Sequence, residues 1–284
     1  LGSTSVICTD KTGTLTENEM TVNKYILKTG EVKVGGTGLD TEGEFSDEQG
    51  DIDIAQDEIL SKALEVGTLC NNASYTEDEE GRTFVGDPME VSLLISGIKA
   101  GIDREKVIKS KPEAKEVSFD PSTKMMATYH ERDGAYQVAV KGAPEAVLEV
   151  SSSIQTEEGE KQLGPEKKEE WLSKNDDMAE DGLRILALAT KETDDTEEDP
   201  YQDLTFLGLV AMMDPPRKEV KPAIEECQDA GIRVIMVTGD HAKTARKIAY
   251  EVGLVENEEV EAIEGKELEA AGELDDEERE RFSK

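Results

Sequence analysis

Two short apolar runs lie at opposite ends of this chain and finish alike. Val6-Ile7-Cys8 leads into Thr9-Asp10-Lys11-Thr12-Gly13, and Val234-Ile235-Met236-Val237 leads into Thr238-Gly239-Asp240. A continuous apolar run of strand length, closed by turn residues, suits a strand buried within a parallel sheet. We therefore expect the two runs to be neighbours in one sheet, and the residues between them to form an inserted domain. Past Pro215-Pro216, residues 220–230 read as a helix closed by Gly231, 232–237 as a strand and 242–252 as a helix closed by Gly253. That is the punctuation of a βαβ unit.

The interior has a different texture. A strand is expected at 21–27 and an acidic loop running into a helix at 42–57. Apolar spacing at Ile59, Leu60, Ala63, Leu64 and Val66 predicts a helix over 57–70, and Pro88 opens another over 88–97. Strands follow at 116–119, 125–130 and 135–140, the last two a hairpin around Asp133-Gly134. Helices are expected at 143–150 and 164–179, and strands at 183–190 and 204–213. The fold class is then α/β. An incomplete Rossmann-like parallel sheet occupies 1–22 and 212–284, and a large α+β domain with an antiparallel sheet is inserted at 23–211.

Composition narrows the partners. The 284 residues carry 66 acidic against 32 basic side chains, a net charge of -34. Such a balance argues against nucleic acid and acidic membrane surfaces. It suits high salt, where screening removes self-repulsion. Cys8, Cys70 and Cys227 are an odd, widely spaced set with no C-x-x-C, and the two histidines, His130 and His241, are too few for a histidine metal site. The longest apolar stretch, 206–213, is a strand's worth, far short of a membrane span. No signal peptide is expected from the residues at the start of the sequence.

The chemistry sits at the strand ends. In an open parallel sheet, ligands bind beyond the carboxyl ends of the strands. A carboxylate there, Asp10, can attack a phosphoryl group and form an acyl phosphate. Lys11 can offset charge, and Thr238 with the amides opening the next helix favours phosphate. No G-x-x-x-x-G-K-[ST] is present, which excludes a P-loop. Gly35-Gly36-Thr37-Gly38 is too short for a dinucleotide fingerprint. The acidic runs 77–80, 194–199 and 275–280 read as solvated faces without a calcium-loop pattern.

The string Asp10-Lys11-Thr12-Gly13-Thr14-Leu15-Thr16 resembles the phosphorylation motif of P-type ATPases, and Thr238-Gly239-Asp240 is similar to a second motif of that family within the haloacid-dehalogenase superfamily. The resemblance implies catalytic roles for Asp10, Lys11, Thr12, Thr238, Gly239 and Asp240, and Mg²⁺ on Asp10 and the Thr12 carbonyl. Soluble hydrolases of the superfamily carry a second aspartate where Thr12 stands, which argues against the alternative of a soluble phosphohydrolase. Lys141-Gly142-Ala143-Pro144-Glu145, Phe119 to Lys124, and Gly86-Asp87-Pro88-Met89-Glu90 resemble nucleotide-domain motifs. They imply an ATP site of Glu90, Phe119, Lys124, Lys141 and Gly142. The string Gly182 to Leu186 adds Arg184 and Leu186, and Asp214-Pro215-Pro216-Arg217, similar to the family's interdomain hinge, adds Arg217. By the same resemblance the chain is expected to be a soluble, monomeric cytosolic piece of a multi-pass cation pump of the calcium or sodium/potassium branch, partnered by its membrane domain.

Overall fold

The computed structural model describes residues 4–78, 81–240, 242–257, 260 and 262–263. His241, part of the acidic run 77–80 and all of the run 275–280 lie outside them. The elements in chain order begin with β1 (Val6–Asp10), an irregular turn (Lys11–Leu15), β2 (Thr21–Leu27), β3 (Gly30–Val34), β4 (Phe45–Asp47) and β5 (Gly50–Asp51). Next come α1 (Glu58–Leu69), β6 (Ser74–Asp78), β7 (Gly81–Val85), α2 (Pro88–Lys99), α3 (Arg104–Ser110), β8 (Glu113–Asp120), β9 (Met125–Arg132) and β10 (Ala135–Gly142). Then follow α4 (Pro144–Val150), β11 (Ser151–Thr156), β12 (Gly159–Gln162), α5 (Pro165–Glu180), β13 (Arg184–Thr193) and β14 (Leu204–Met213). The series closes with α6 (Val220–Asp229), β15 (Arg233–Val237) and α7 (Ala242–Glu251).

The chain divides into two compact units: Thr12–Pro215, and Leu1–Lys11 with Pro216–Lys284. The first is built on one large sheet in the order β5-β4-β3-β2-β14-β13-β10-β9-β8. Its pairings are antiparallel except that β11 joins the start of β14 in parallel. Both faces of the sheet are covered, because β9, β10, β13 and β14 are apolar on both sides. On one face α1 and α2 bury Leu60, Leu64 and Leu93 with Tyr25, Met126, Leu188 and Val210. On the other, α4 and α5 bury Leu148 and Trp171 with Val140, Ala187 and Phe206. The Trp171 and Phe206 rings meet edge to face at 5.0 Å.

The second unit carries the two runs that opened the sequence. β1 and β15 pair in parallel, from Val6 across from Arg233 to Asp10 across from Val237. The pairing is as expected, but neither strand is buried: Val6 of β1 is 45% exposed, and Ile235 and Val237 of β15 are 38% and 58% exposed. Among the described residues this sheet has only these two strands, so its apolar side chains have little to pack against. Val220 and Ile224 of α6 and Ile248 and Ala249 of α7 are its buried apolar residues, with Val252.

The interior differs from expectation at its edges. The supposed acidic loop at 42–57 contains β4, β5 and a 3-10 turn at Ile54–Gln56. The short strands β3, β6, β7, β11 and β12 were also not expected; β3 alternates Glu31-Val32-Lys33-Val34 with both valines buried, and the others together are mostly polar.

Candidate functional site

Two constellations form, one in each unit. In the smaller unit, Asp10 ends β1 in an exposed position, and Thr238, Gly239 and Asp240 follow directly on β15. Parallel pairing puts both strand ends on one edge of the sheet. Lys11 is nearly buried, and its ammonium lies 2.6 Å from a carboxylate oxygen of Asp240. The Thr238 hydroxyl accepts a hydrogen bond from the Asp240 amide at 3.1 Å, which tightens the turn after β15. Gly239 is exposed with open space around it. Arg217 is half-buried ahead of α6, its carbonyl accepting from the Val220 amide. Thr12 belongs to the larger unit, exposed, with an extended backbone.

In the larger unit, one row of residues crosses four strands: Asp120 beside Met125, Met125 beside Gly142, and Gly142 beside Ala187. Phe119, Lys141 and Leu186 each lie one residue before this row on β8, β10 and β13. Side chains alternate across a strand. Lys141, Met126 and Leu188 are aligned by register and therefore share the face that carries α1 and α2, as do Leu186 and Arg184 on β13.

Lys141 and Glu90 form the centre of the group. Lys141 donates to Glu90 Oε1 at 2.6 Å and to the Cys70 carbonyl at 2.6 Å. Their side chains are only 9% and 15% exposed. Removing two charges from water costs several kcal/mol per ion, so a nearly buried pair is weak evidence for a stability role. Glu90 is presented by the first turn of α2. Asp87 caps that turn, accepting from the Met89 and Glu90 amides, and Pro88 supplies the fixed φ of the first helical residue. Gly142 admits no larger residue without rearrangement: a Cβ there would stand 2.5 Å from the Lys124 carbonyl oxygen.

The remaining expected residues sit further out. Phe119 is 59% exposed, with a free ring surface. Lys124, in the β8–β9 turn, reaches Glu145 at 2.9 Å. Arg184 is exposed at the start of β13, across from Met212. Cys70, read in the sequence only as a free thiol, contributes its carbonyl; burial pushes its thiol up to about 11, so it is inert as a nucleophile at neutral pH. The sequence reading missed Asn72, whose backbone amide donates to Glu90 Oε2 at 3.3 Å. Backbone contacts of this kind leave no residue-type signal. Among the described residues no three His, Cys, Asp or Glu side chains converge as a metal cage.

The sequence is similar to those of known proteins. The sequence model of the family described as "P-type ATPase, cytoplasmic domain N" matches residues 60–219. The chain is 37% identical over 282 residues to the cation-transporting ATPase pma1 of Synechocystis, covering 96% of this chain and 31% of that protein. It is 36% identical to calcium-transporting ATPase 1 of Lactococcus lactis, covering all of this chain and 30% of that one. It is also 36% identical to the calcium-transporting ATPase of Bacillus subtilis, with 90% and 29% covered. The chain thus spans about three tenths of the length of these relatives. It belongs to the P-type ATPase family and carries the family's cytoplasmic domain N.

Proposed function

We propose that this chain is the nucleotide-binding and phosphoryl-accepting part of an ATP-driven cation pump. Residues 23–211 hold ATP, and residues 1–22 and 212–284 belong to a Rossmann-like phosphorylation domain. The names of the relatives support a cation as cargo, calcium among them. We further propose a membrane domain of the same longer protein as partner. Among the described residues no helix is long and apolar enough to cross a membrane.

The observation that carries the reading is the parallel pairing of β1 and β15. It sets Asp10 across from Val237, with Lys11 held on Asp240. An exposed carboxylate oxygen at that edge attacks the γ-phosphorus of ATP, the bond to the β,γ-bridging oxygen breaks, and ADP leaves. Lys11 and the Thr238 hydroxyl stabilise the charge on the transferring group, while Gly239 leaves room for phosphate oxygens. Asp10 and the Thr12 carbonyl are hard oxygen donors and would hold Mg²⁺. That ion commonly takes one or two carboxylates and completes its shell with water and substrate phosphates. When bound it neutralises charge on the transferring phosphoryl group. Thr12 offers no acid or base to hydrolyse the acyl phosphate, so the intermediate persists long enough to be coupled to transport.

At the other site Phe119 offers a ring for the base, and stacking of a base on an aromatic is worth ~1–3 kcal/mol. Glu90 accepts from the adenine amine, and Lys141 and Gly142 line the pocket beside Leu186. Lys124 and Arg184 supply positive charge toward the phosphates, and Arg217, in the smaller unit, is a further cation suited to phosphate. The test is Asp10→Asn in the longer pump, incubated with ATP labelled in the γ-phosphate. Acid-stable label on the protein disappears while ATP affinity stays near wild type; label persisting in the variant overturns the assignment.

A further inference from the structure

The Glu90–Lys141 pair is held in place by a turn that belongs to neither of its own elements. That turn is Cys70 to Ala73, just past α1. Its Cys70 carbonyl takes the Lys141 ammonium, and its Asn72 amide reaches the second oxygen of Glu90. At its centre Asn71 is fully buried. The Asn71 amide nitrogen donates to the Gly67 carbonyl at 3.1 Å and to the Glu90 carbonyl at 2.8 Å, and its side-chain oxygen accepts from the Ala73 amide at 2.8 Å. One side chain thus joins the last turn of α1 to the first turn of α2.

Two further contacts lock the turn. The Arg104 guanidinium donates to the Thr68 and Asn71 carbonyls. Gly86, at φ 148°, lets the turn lie against the entry to α2, where a Cβ would come within 2.7 Å of the Ala73 Cβ. The position needs two donors and an acceptor on one short planar group. Aspartate has no donor for the two carbonyls, and serine has only one.

We propose that Asn71 is the positioning residue of the nucleotide site. Through the Cys70–Ala73 turn it fixes the ammonium of Lys141 and the carboxylate of Glu90 in the arrangement that selects an amino-bearing purine over a keto-bearing one. The proposal rests on the reading of Glu90 and Lys141 as nucleotide-binding residues. With Oε1 on Lys141 and Oε2 on the Asn72 amide, the Glu90 carboxylate is held in one orientation. Its remaining lone pairs accept from an exocyclic amine and repel a carbonyl oxygen. A mobile carboxylate would discriminate less.

The experiment uses the 284-residue chain, with Asn71→Ala, Arg104→Gln and Lys141→Met. Calorimetric titrations with ATP, GTP and tripolyphosphate are run on variants that melt cooperatively. Wild type binds ATP more tightly than GTP. Asn71→Ala weakens ATP by about tenfold, equivalent to about 1.4 kcal/mol. The ATP-to-GTP preference falls toward one while tripolyphosphate affinity is unchanged. Arg104→Gln, which loosens the same turn from outside, moves the preference in the same direction by less, and it decides the matter alone if Asn71→Ala does not fold. An unchanged preference in the folded variants, or equal losses for all three ligands, overturns the proposal. If Lys141→Met abolishes ATP binding while the turn variants keep wild-type discrimination, the positioning role alone fails. If Lys141→Met binds ATP as wild type does, the nucleotide reading fails with it.

Discussion

His130 shows how a single buried residue sets a condition on stability. Its Nδ1 lies 3.2 Å from the Lys111 carbonyl and its Nε2 2.9 Å from the Thr128 hydroxyl, an arrangement that satisfies a neutral ring protonated on Nδ1. Burial first, and then the charges of Arg104 and Lys111, hold its pKa below the usual histidine range. A depressed folded pKa means that the unfolded chain binds the proton more readily. The stability associated with the neutral ring is therefore complete above about pH 6.5, the unfolded value, and is lost as pH falls toward the folded one. Melting temperature should drop more steeply below that pH in wild type than in His130→Gln, the comparison cancelling the carboxylates common to both; parallel pH profiles would contradict it. Much of the site was legible at this scale. Asp10 and Lys11 stand out by their place at a strand end, whereas Glu90 and Lys141 were singled out by resemblance to family motifs and are brought together in the structure. Asn71 and Asn72 were not legible, because their roles depend on carbonyls and amides brought to them by α2 and β10, and no local pattern announces such a partner.

Among the elements, those with strong local signals were readable. The apolar spacing of α1, the proline opening α2 and the Asp133-Gly134 turn of the β9–β10 hairpin each correspond to the structure within a few residues. The short strands β4 to β7, β11 and β12 were not, since their place is set by pairing with neighbours rather than by their own polar residues. The cap of α2 carries a measurable load: Asp87→Ala should cost about 1 kcal/mol in urea unfolding of the larger unit. It should also weaken ATP binding, because Glu90 lies in the turn that the cap holds. A stability loss near zero would mean that the helix start is held by packing alone. The exposure of β1 and β15 has its own consequence. Backbone amides of Val6–Asp10 and Arg233–Val237 should exchange with solvent deuterium well before those of β10, β13 and β14, whose side chains are largely buried. Equal protection would show that the two-stranded sheet is as stable as the large one.

For the molecule as a whole, charge is the dominant feature. At -34 over 284 residues, self-repulsion destabilises the compact state, and salt bridges such as Lys24–Glu31 and Lys111–Glu65 use up part of a small basic complement. The Debye length shrinks from about 10 Å at 0.1 M to about 3 Å at 1 M. Melting temperature should therefore rise with KCl across that range, and a salt-independent value would remove the proposed advantage of the acidic surface. The same charge opposes a polyphosphate, so nucleotide binding demands local cations, and in the larger unit Lys124, Lys141 and Arg184 are the candidates. The most direct measurement of the account is an ATP titration followed by backbone and side-chain resonances of the whole chain. We expect saturable shifts concentrated at Glu90, Phe119, Lys141, Gly142, Arg184 and Leu186, with the core of α4 and α5 unmoved. Shifts absent at saturating ATP, or centred on the α4–α5 face instead, would contradict it.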